Sequence, residues 1–301
     1  MKKLLTILIM VLLLCACSGG GNNGGGKQDD FTKANKVGYM EFVPEETYSN
    51  LNSFTEYKAD GTLIEKDIVY TRENGVVVGY AVTPNVVLAE LGDLSQFDSF
   101  EVNGDKYYTY VSGNNSVGMV QKDRELYAVQ LNYSNTAENH EENELENLAA
   151  TVKFTDKADY TLNSMDMFDI NYTVDSSLAL ASIAINVDQD SAGNVTEKSV
   201  TWRYGQDTDN LDFNFVVRVY RNKTLENVLD ADSTYLDETI NGVDYKVFST
   251  TEDHPYNYYT QHGNDVYQIR NNGVNSGWFG VERSEESWTA FSNFLNTISF
   301  K

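Results

Sequence analysis

The chain has 301 residues, with 22 Lys and Arg against 45 Asp and Glu, a formal charge of -23. So acidic a chain lacks the basic face that nucleic-acid phosphates or anionic headgroups require, and no nucleic-acid partner is expected. At 41% hydrophobic residues, with 20 Tyr and 14 Phe, it is a folding sequence rather than a disordered acidic tail.

The start of the chain carries an address. Met1-Lys2-Lys3 is a short basic opening, and Leu4 to Leu14 is apolar apart from Thr6. At 1.5 Å per residue this run covers about half of a ~30 Å hydrocarbon core, which makes it a signal-peptide core rather than a membrane span. Leu14-Cys15-Ala16-Cys17 follows, and it resembles the lipobox of bacterial lipoproteins. Leu14 fits the position three before the modified cysteine, Ala16 the small residue before the cut, and Cys17 the thiol that is lipidated and becomes the new N-terminus. Cys15 departs from the pattern and is itself the alternative modified residue. The resemblance implies a signal peptide at 1–16 and a membrane partner, with acyl chains such as palmitate at Cys17 holding the protein to the cell membrane outside the cytoplasm. Those two are the only cysteines, so the body of the protein depends on core burial rather than disulfides. Ser18 to Gln28 contains six glycines, and 17–36 reads as a flexible tether reaching about 20–25 Å.

Beyond the tether the chain reads as one domain written twice. Tyr39 to Pro44 and Phe168 to Thr173 both alternate bulky and polar residues, the period of a half-buried strand. Gly61-Thr62-Leu63-Ile64-Glu65-Lys66-Asp67-Ile68-Val69-Tyr70 aligns with Gly193-Asn194-Val195-Thr196-Glu197-Lys198-Ser199-Val200-Thr201-Trp202 in turn, Glu-Lys pair and closing aromatic. Strand-like runs follow at Val76 to Thr83 and Phe213 to Tyr220. Asn85 and Asn222 then precede apolar residues three apart, which predicts an N-cap and a short helix at each place. Asn103-Gly104 and Asn241-Gly242, each between an apolar residue and a β-rich run, predict tight hairpins, because both residues accept the positive φ such turns demand. Leu126 to Val129 and Val266 to Ile269 form a further pair of strands. Leu145, Leu148, Ala149 and Val152, and likewise Phe291, Phe294, Leu295 and Ile298, fall at i, i+3, i+4 and i+7, the apolar face of a closing helix. The expected domains are 37–155 and 165–301, joined by a linker at 156–164.

This order of elements, with Val43-Pro44 after the first strand and Ile298-Ser299-Phe300 after the last helix, resembles the PsbP-like fold. The resemblance implies an α+β class, two tandem copies of an antiparallel sheet flanked by helices in an α/β/α sandwich, and noncatalytic binding or assembly roles. It supplies no site residues.

A search for chemistry returns little. His140-Glu141 lacks the second histidine of a zinc-protease helix at position 144, and Asp188, Asp190 and Gly193 lack the later ligands of a calcium loop and read as a hairpin turn. No Gly-x-Ser-x-Gly elbow and no Gly-Lys-Ser phosphate loop occurs. His254 and His262, beside Asp253 and Asp265, could be drawn as a metal pair, but no metal, cofactor or catalytic residue is expected. The second copy differs from the first in a longer connection holding His254, Tyr256, Tyr258 and Tyr259, and in a segment with Trp278 and Phe279 between glycines. Aromatic side chains on loops grip sugars, peptides and apolar ligands, so these six form the candidate contact surface; the same residues also fit core strands. The function expected is a membrane-anchored, noncatalytic binding or accessory module for an envelope protein, a glycan or a small ligand. The alternatives are a carboxylate-dependent hydrolase and a carrier of hydrophobic ligands.

Overall fold

The computed structural model describes residues 35–44, 48–134, 143–207, 210–248, 256–272, 274–275, 281–282 and 284–301. The expected signal peptide, Cys17 and most of the tether lie outside them. The described chain divides into two compact units, the first of 35–54, 63–162 and 189–194, the second of 55–62, 163–188 and 195–301.

The first unit contains β1 (Asn35–Phe42), β2 (Tyr48–Lys58, its tip grouped with the second unit), β3 (Leu63–Arg72), β4 (Val77–Pro84), β5 (Asp98–Val102), β6 (Asp105–Ser112), β7 (Asn115–Lys122), β8 (Glu125–Asn132), the helix α1 (Glu144–Ala150) and β9 (Lys153–Asp159). Its sheet runs β2-β3-β4-β8-β7-β6-β5. Successive side chains on a strand alternate between faces, so the register Tyr70↔Val78, Tyr80↔Val129 and Val82↔Tyr127 gathers those six on one face. A separate ribbon of β1 paired with β9, together with α1, roofs that face with Val37, Met40, Phe42, Leu148, Ala149 and Val152. On the opposite face Val117, Met119 and Leu126 lie under Leu88 and Leu91, from a 3-10 turn at Leu88–Glu90.

The second unit holds β10 (Ile170–Asn171), β11 (Leu180–Asp190, its end grouped with the first unit), β12 (Val195–Asp207), β13 (Asn210–Tyr220), α2 (Leu225–Val228), β14 (Tyr235–Ile240), β15 (Val243–Phe248), β16 (Asn257–His262), β17 (Asp265–Asn271), a small ribbon of β18 (Val274–Asn275) and β19 (Val281–Glu282), α3 (Glu285–Leu295) and β20 (Ser299–Phe300). Its sheet runs β11-β12-β13-β17-β16-β15-β14, the same order as the first unit strand for strand. The core face is aromatic: the Phe294 ring lies 5.9 Å from Trp202 and 5.7 Å from Phe215, and Phe291 joins Phe215 at 5.3 Å.

The expected α/β/α sandwich is not what forms. The protein is mostly β, with seven strands of sheet in each unit and three short helices among the described residues. The closing helices are amphipathic as their spacing requires, but α1 spans 7 residues and α3 spans 11. Neither covers a seven-strand sheet, and the first and last strands of each unit complete the roof as β1-β9 and β10-β20 ribbons. The other face carries single helical turns rather than a helical layer.

Two further expectations are corrected. Asn85 and Asn222 are not N-caps: they adopt left-handed backbone, with φ of 60° and 52°. The residue preceding the 3-10 turn is Val87, and that preceding α2 is Thr224. Asparagine enters the left-handed region readily, and here that property reverses the chain before the turn. The expected linker at 156–164 begins inside β9, because Lys153–Asp159 pairs with β1.

The Asn-Gly turns have a second role. Asn103 and Gly104 have φ of 55° and 82°, and Asn241 and Gly242 have 49° and 78°, both turns with paired positive angles. In each, the asparagine side chain also reaches the end of the closing helix. Asn103 Nδ2 donates to the carbonyls of Ala150 at 3.1 Å and Val152 at 3.4 Å, and Asn241 Nδ2 donates to that of Asn296 at 3.0 Å. Helix C-terminal carbonyls have no partner within the helix, so these bonds satisfy orphan acceptors. Asn103→Gly and Asn241→Gly preserve the turn but remove the bonds, and each is expected to lower unfolding stability by about 0.5–1.5 kcal/mol in urea titrations. An unchanged midpoint would show that the tether contributes nothing.

Candidate functional site

The alternation of β16 and β17 sorts the candidate aromatics. Register pairs Tyr258 with Ile269 and Tyr259 with Gln268. Tyr258 therefore shares the core face with Ile269; it is 6% exposed and set edge-on to Tyr245, with Phe291 5.9 Å away. This corrects its assignment to the contact surface: period two turns it inward. Tyr256 and Tyr259 are half-buried. His254, Trp278 and Phe279 lie outside the described residues. His262 is stacked on Phe300 at 4.6 Å.

Around Tyr259 the face away from the core is built as a network. Its hydroxyl accepts from Asn257 Nδ2 at 2.9 Å and from Gln268 Nε2 at 3.0 Å, and Gln268 Nε2 also donates to Asn257 Oδ1 at 2.9 Å. Gln268 Oε1 accepts from the Tyr220 hydroxyl at 3.2 Å, which accepts in turn from Arg218 at 3.4 Å. Arg218 closes the row on Glu197 at 3.1 Å. Burial raises the hydroxyl pKa of both Tyr220 and Tyr259, so both stay neutral hydrogen-bonding groups.

Aromatic rings extend from this network. Tyr259 meets Tyr235 at 6.0 Å and 82°, Tyr235 meets Phe248 at 5.8 Å and 58°, and Phe248 meets Tyr256 at 6.2 Å and 77°. All four are half-buried, and the Arg270 guanidinium lies over Tyr256, 5.7 Å from its centre. The result is a strip of four rings ending in a cation, its polar atoms fixed by a hydrogen-bonded row beneath. Such a strip offers large contact area with little side-chain entropy left to lose.

Sequence reasoning missed Tyr235, Phe248, Gln268 and Arg270. The signal lay in Gly263-Asn264: a two-residue turn there, with Gly263 at φ 58°, fixes Asn257 opposite Arg270 and Tyr259 opposite Gln268. Among the described residues no cluster of three His, Cys, Asp or Glu could hold a metal ion, and no helix is long and apolar enough to cross a membrane.

Glu197 supplies a test of the electrostatics. Burial raises its carboxyl pKa; the nearby Arg218 opposes the shift and Asp188 adds to it. An acid with a raised native pKa contributes stability below its ordinary pKa of 4.5 that is lost as pH rises through the native value. The stability of Glu197→Gln relative to the native protein is therefore expected to improve as pH rises above about 4.5 and to flatten well above it. A relative stability that worsens over that interval in pH-dependent thermal melts would mean that the Arg218 pair outweighs burial.

No protein-family model matches the chain, and no curated protein does. Solved structures with some likeness include a crystal structure of MucB in complex with MucA(peri), at 9% identity over 84% of this chain and 94% of that one, with a TM-score of 0.20. Others are the Pseudomonas aeruginosa MucA/MucB complex, at 8% identity over 85% and 94% with 0.16, and MucB alone, at 10% over 85% and 94% with 0.17. TM-scores of this size do not define a shared fold and carry no functional argument.

Proposed function

We propose that this protein is a membrane-anchored extracytoplasmic lipoprotein, attached through acyl chains on Cys17, that acts as a noncatalytic binding module for a partner in the cell envelope. The observation that carries the binding role is the strip Tyr259-Tyr235-Phe248-Tyr256-Arg270, half-accessible and preorganised on the face of the second sheet away from its core. Tyrosine, phenylalanine and arginine in one patch are the residue types that dominate protein interfaces. The anchor rests on the lipobox resemblance at Leu14-Cys15-Ala16-Cys17. The matched strand orders support descent from a duplicated β unit, in which the second copy carries the strip. On the corresponding face of the first unit Leu88 and Leu91 pack on Val117, Met119 and Leu126, beside half-buried Phe97, Tyr108 and Tyr110, and no arginine lies among them.

Two measurements test the proposal. Labelling with a palmitate analogue is expected to mark the native protein and the Cys15→Ala variant but not Cys17→Ala, which is expected in the medium or soluble fraction. Label retained by Cys17→Ala would overturn the anchor. Capture from gently solubilised envelopes is expected to recover a defined partner with the native bait and to lose most of it with Tyr256→Ala at unchanged melting temperature. Equal recovery with both baits would remove the strip from the interface, and no partner with either would count against the binding role.

A further inference from the structure

The part-buried arginines among the described residues follow a rule with one exception. Arg72 is paired with Glu144, Arg203 with Glu56 at 2.5 Å, Arg218 with Glu197 at 3.1 Å and Arg221 with Asp265 at 2.8 Å. Arg270, also part-buried, has no carboxylate among the described residues, and its Nε is buried without a hydrogen-bond partner. In so acidic a chain this is the unexpected arrangement among the described residues, because a guanidinium Nε withdrawn from water without an acceptor leaves a donor unsatisfied. Arg124, the remaining described arginine, is exposed on a turn.

Building on the binding-module reading, we infer that Arg270 is the anchor of a carboxylate site, and that the strip beside it receives an acidic, aromatic-containing segment of a partner polypeptide. The guanidinium is a planar fork that matches a carboxylate with two parallel hydrogen bonds, and the Tyr256 ring behind it limits the directions it can point. The rings favour a polypeptide over a sugar. A pyranose stacks on a flat ring face, whereas successive rings here stand at 82°, 58° and 77° to one another and leave notches that suit protruding side chains. An acidic segment is otherwise repelled by a protein of charge -23, so the site selects one carboxylate in one place rather than an anionic polymer in general.

The test uses the mature chain and a phage-displayed library of random dodecapeptides. Selected peptides are expected to carry Asp or Glu next to an aromatic residue, and replacing that acid by its amide should weaken binding about tenfold or more. Arg270→Gln should produce the same loss at unchanged melting temperature, Arg270→Lys should restore only part of the affinity, and Arg124→Gln should have no effect. If Arg270→Gln does not fold, the Arg270→Lys and amide-peptide arms decide the matter. Affinity unchanged in folded Arg270→Gln, selected peptides without acids, no selected peptide at all, or an oligogalacturonate that binds the strip where peptides do not would each overturn the inference. Envelope capture separates the two levels: a partner recovered equally by Arg270→Gln leaves the binding module standing and removes the carboxylate site.

Discussion

Each unit of this protein depends on one side-chain amide. The hairpins β5-β6 and β14-β15 lie at the outer edges of their sheet runs, and their turns are joined to the rest of the unit through Asn103 and Asn241. Positive φ at these positions turns the chain, and the same residues donate to carbonyls just past the closing helix. A glycine would serve the first need and an ordinary polar residue the second; asparagine serves both. The end of each closing helix is thereby joined to the turn of the edge hairpin, and the short α1 and α3 share the roof with a ribbon.

The ribbons enter the core through another shared device. Gly38 in β1 has φ of 56°, and a Cβ there would sit 2.7 Å from the Tyr127 hydroxyl. That hydroxyl accepts from the Tyr39 amide at 3.0 Å. In the second unit Phe168 holds the corresponding conformation at φ 66°, and the Asp169 amide donates to the Tyr267 hydroxyl at 3.4 Å. A phenylalanine in the left-handed region costs on the order of 1–2 kcal/mol. The Arg221 guanidinium 3.9 Å from its ring centre and the Lys301 ammonium 2.8 Å from its carbonyl oxygen offset that strain.

Against this common frame the two sheets treat their second face differently. The first unit packs Leu88 and Leu91 there beside half-buried rings; the second carries half-buried rings over a row of neutral hydrogen-bonding groups, and an arginine with no carboxylate partner among the described residues. The difference lies in side chains rather than topology, and it is the reason the proposed binding surface is sought on the second unit.

The sequence alone determined the alternating strands, the two hairpin turns and the apolar faces of the closing helices, because these follow from local periodicity and from the backbone preference of Asn-Gly. It also singled out Tyr256 and Tyr259, which are half-buried in the structure. Local pattern does not encode which element covers a sheet, so the sandwich of helices gave way to β1-β9 and β10-β20, whose partners lie more than a hundred residues apart in the chain. The same limit placed Tyr258 on the surface, when a one-residue difference in parity turns it into the core, and hid Arg270, whose meaning depends on having no carboxylate partner among the described residues. Which side chains come within reach of one another is a property of the folded chain, and only the tertiary structure decided it.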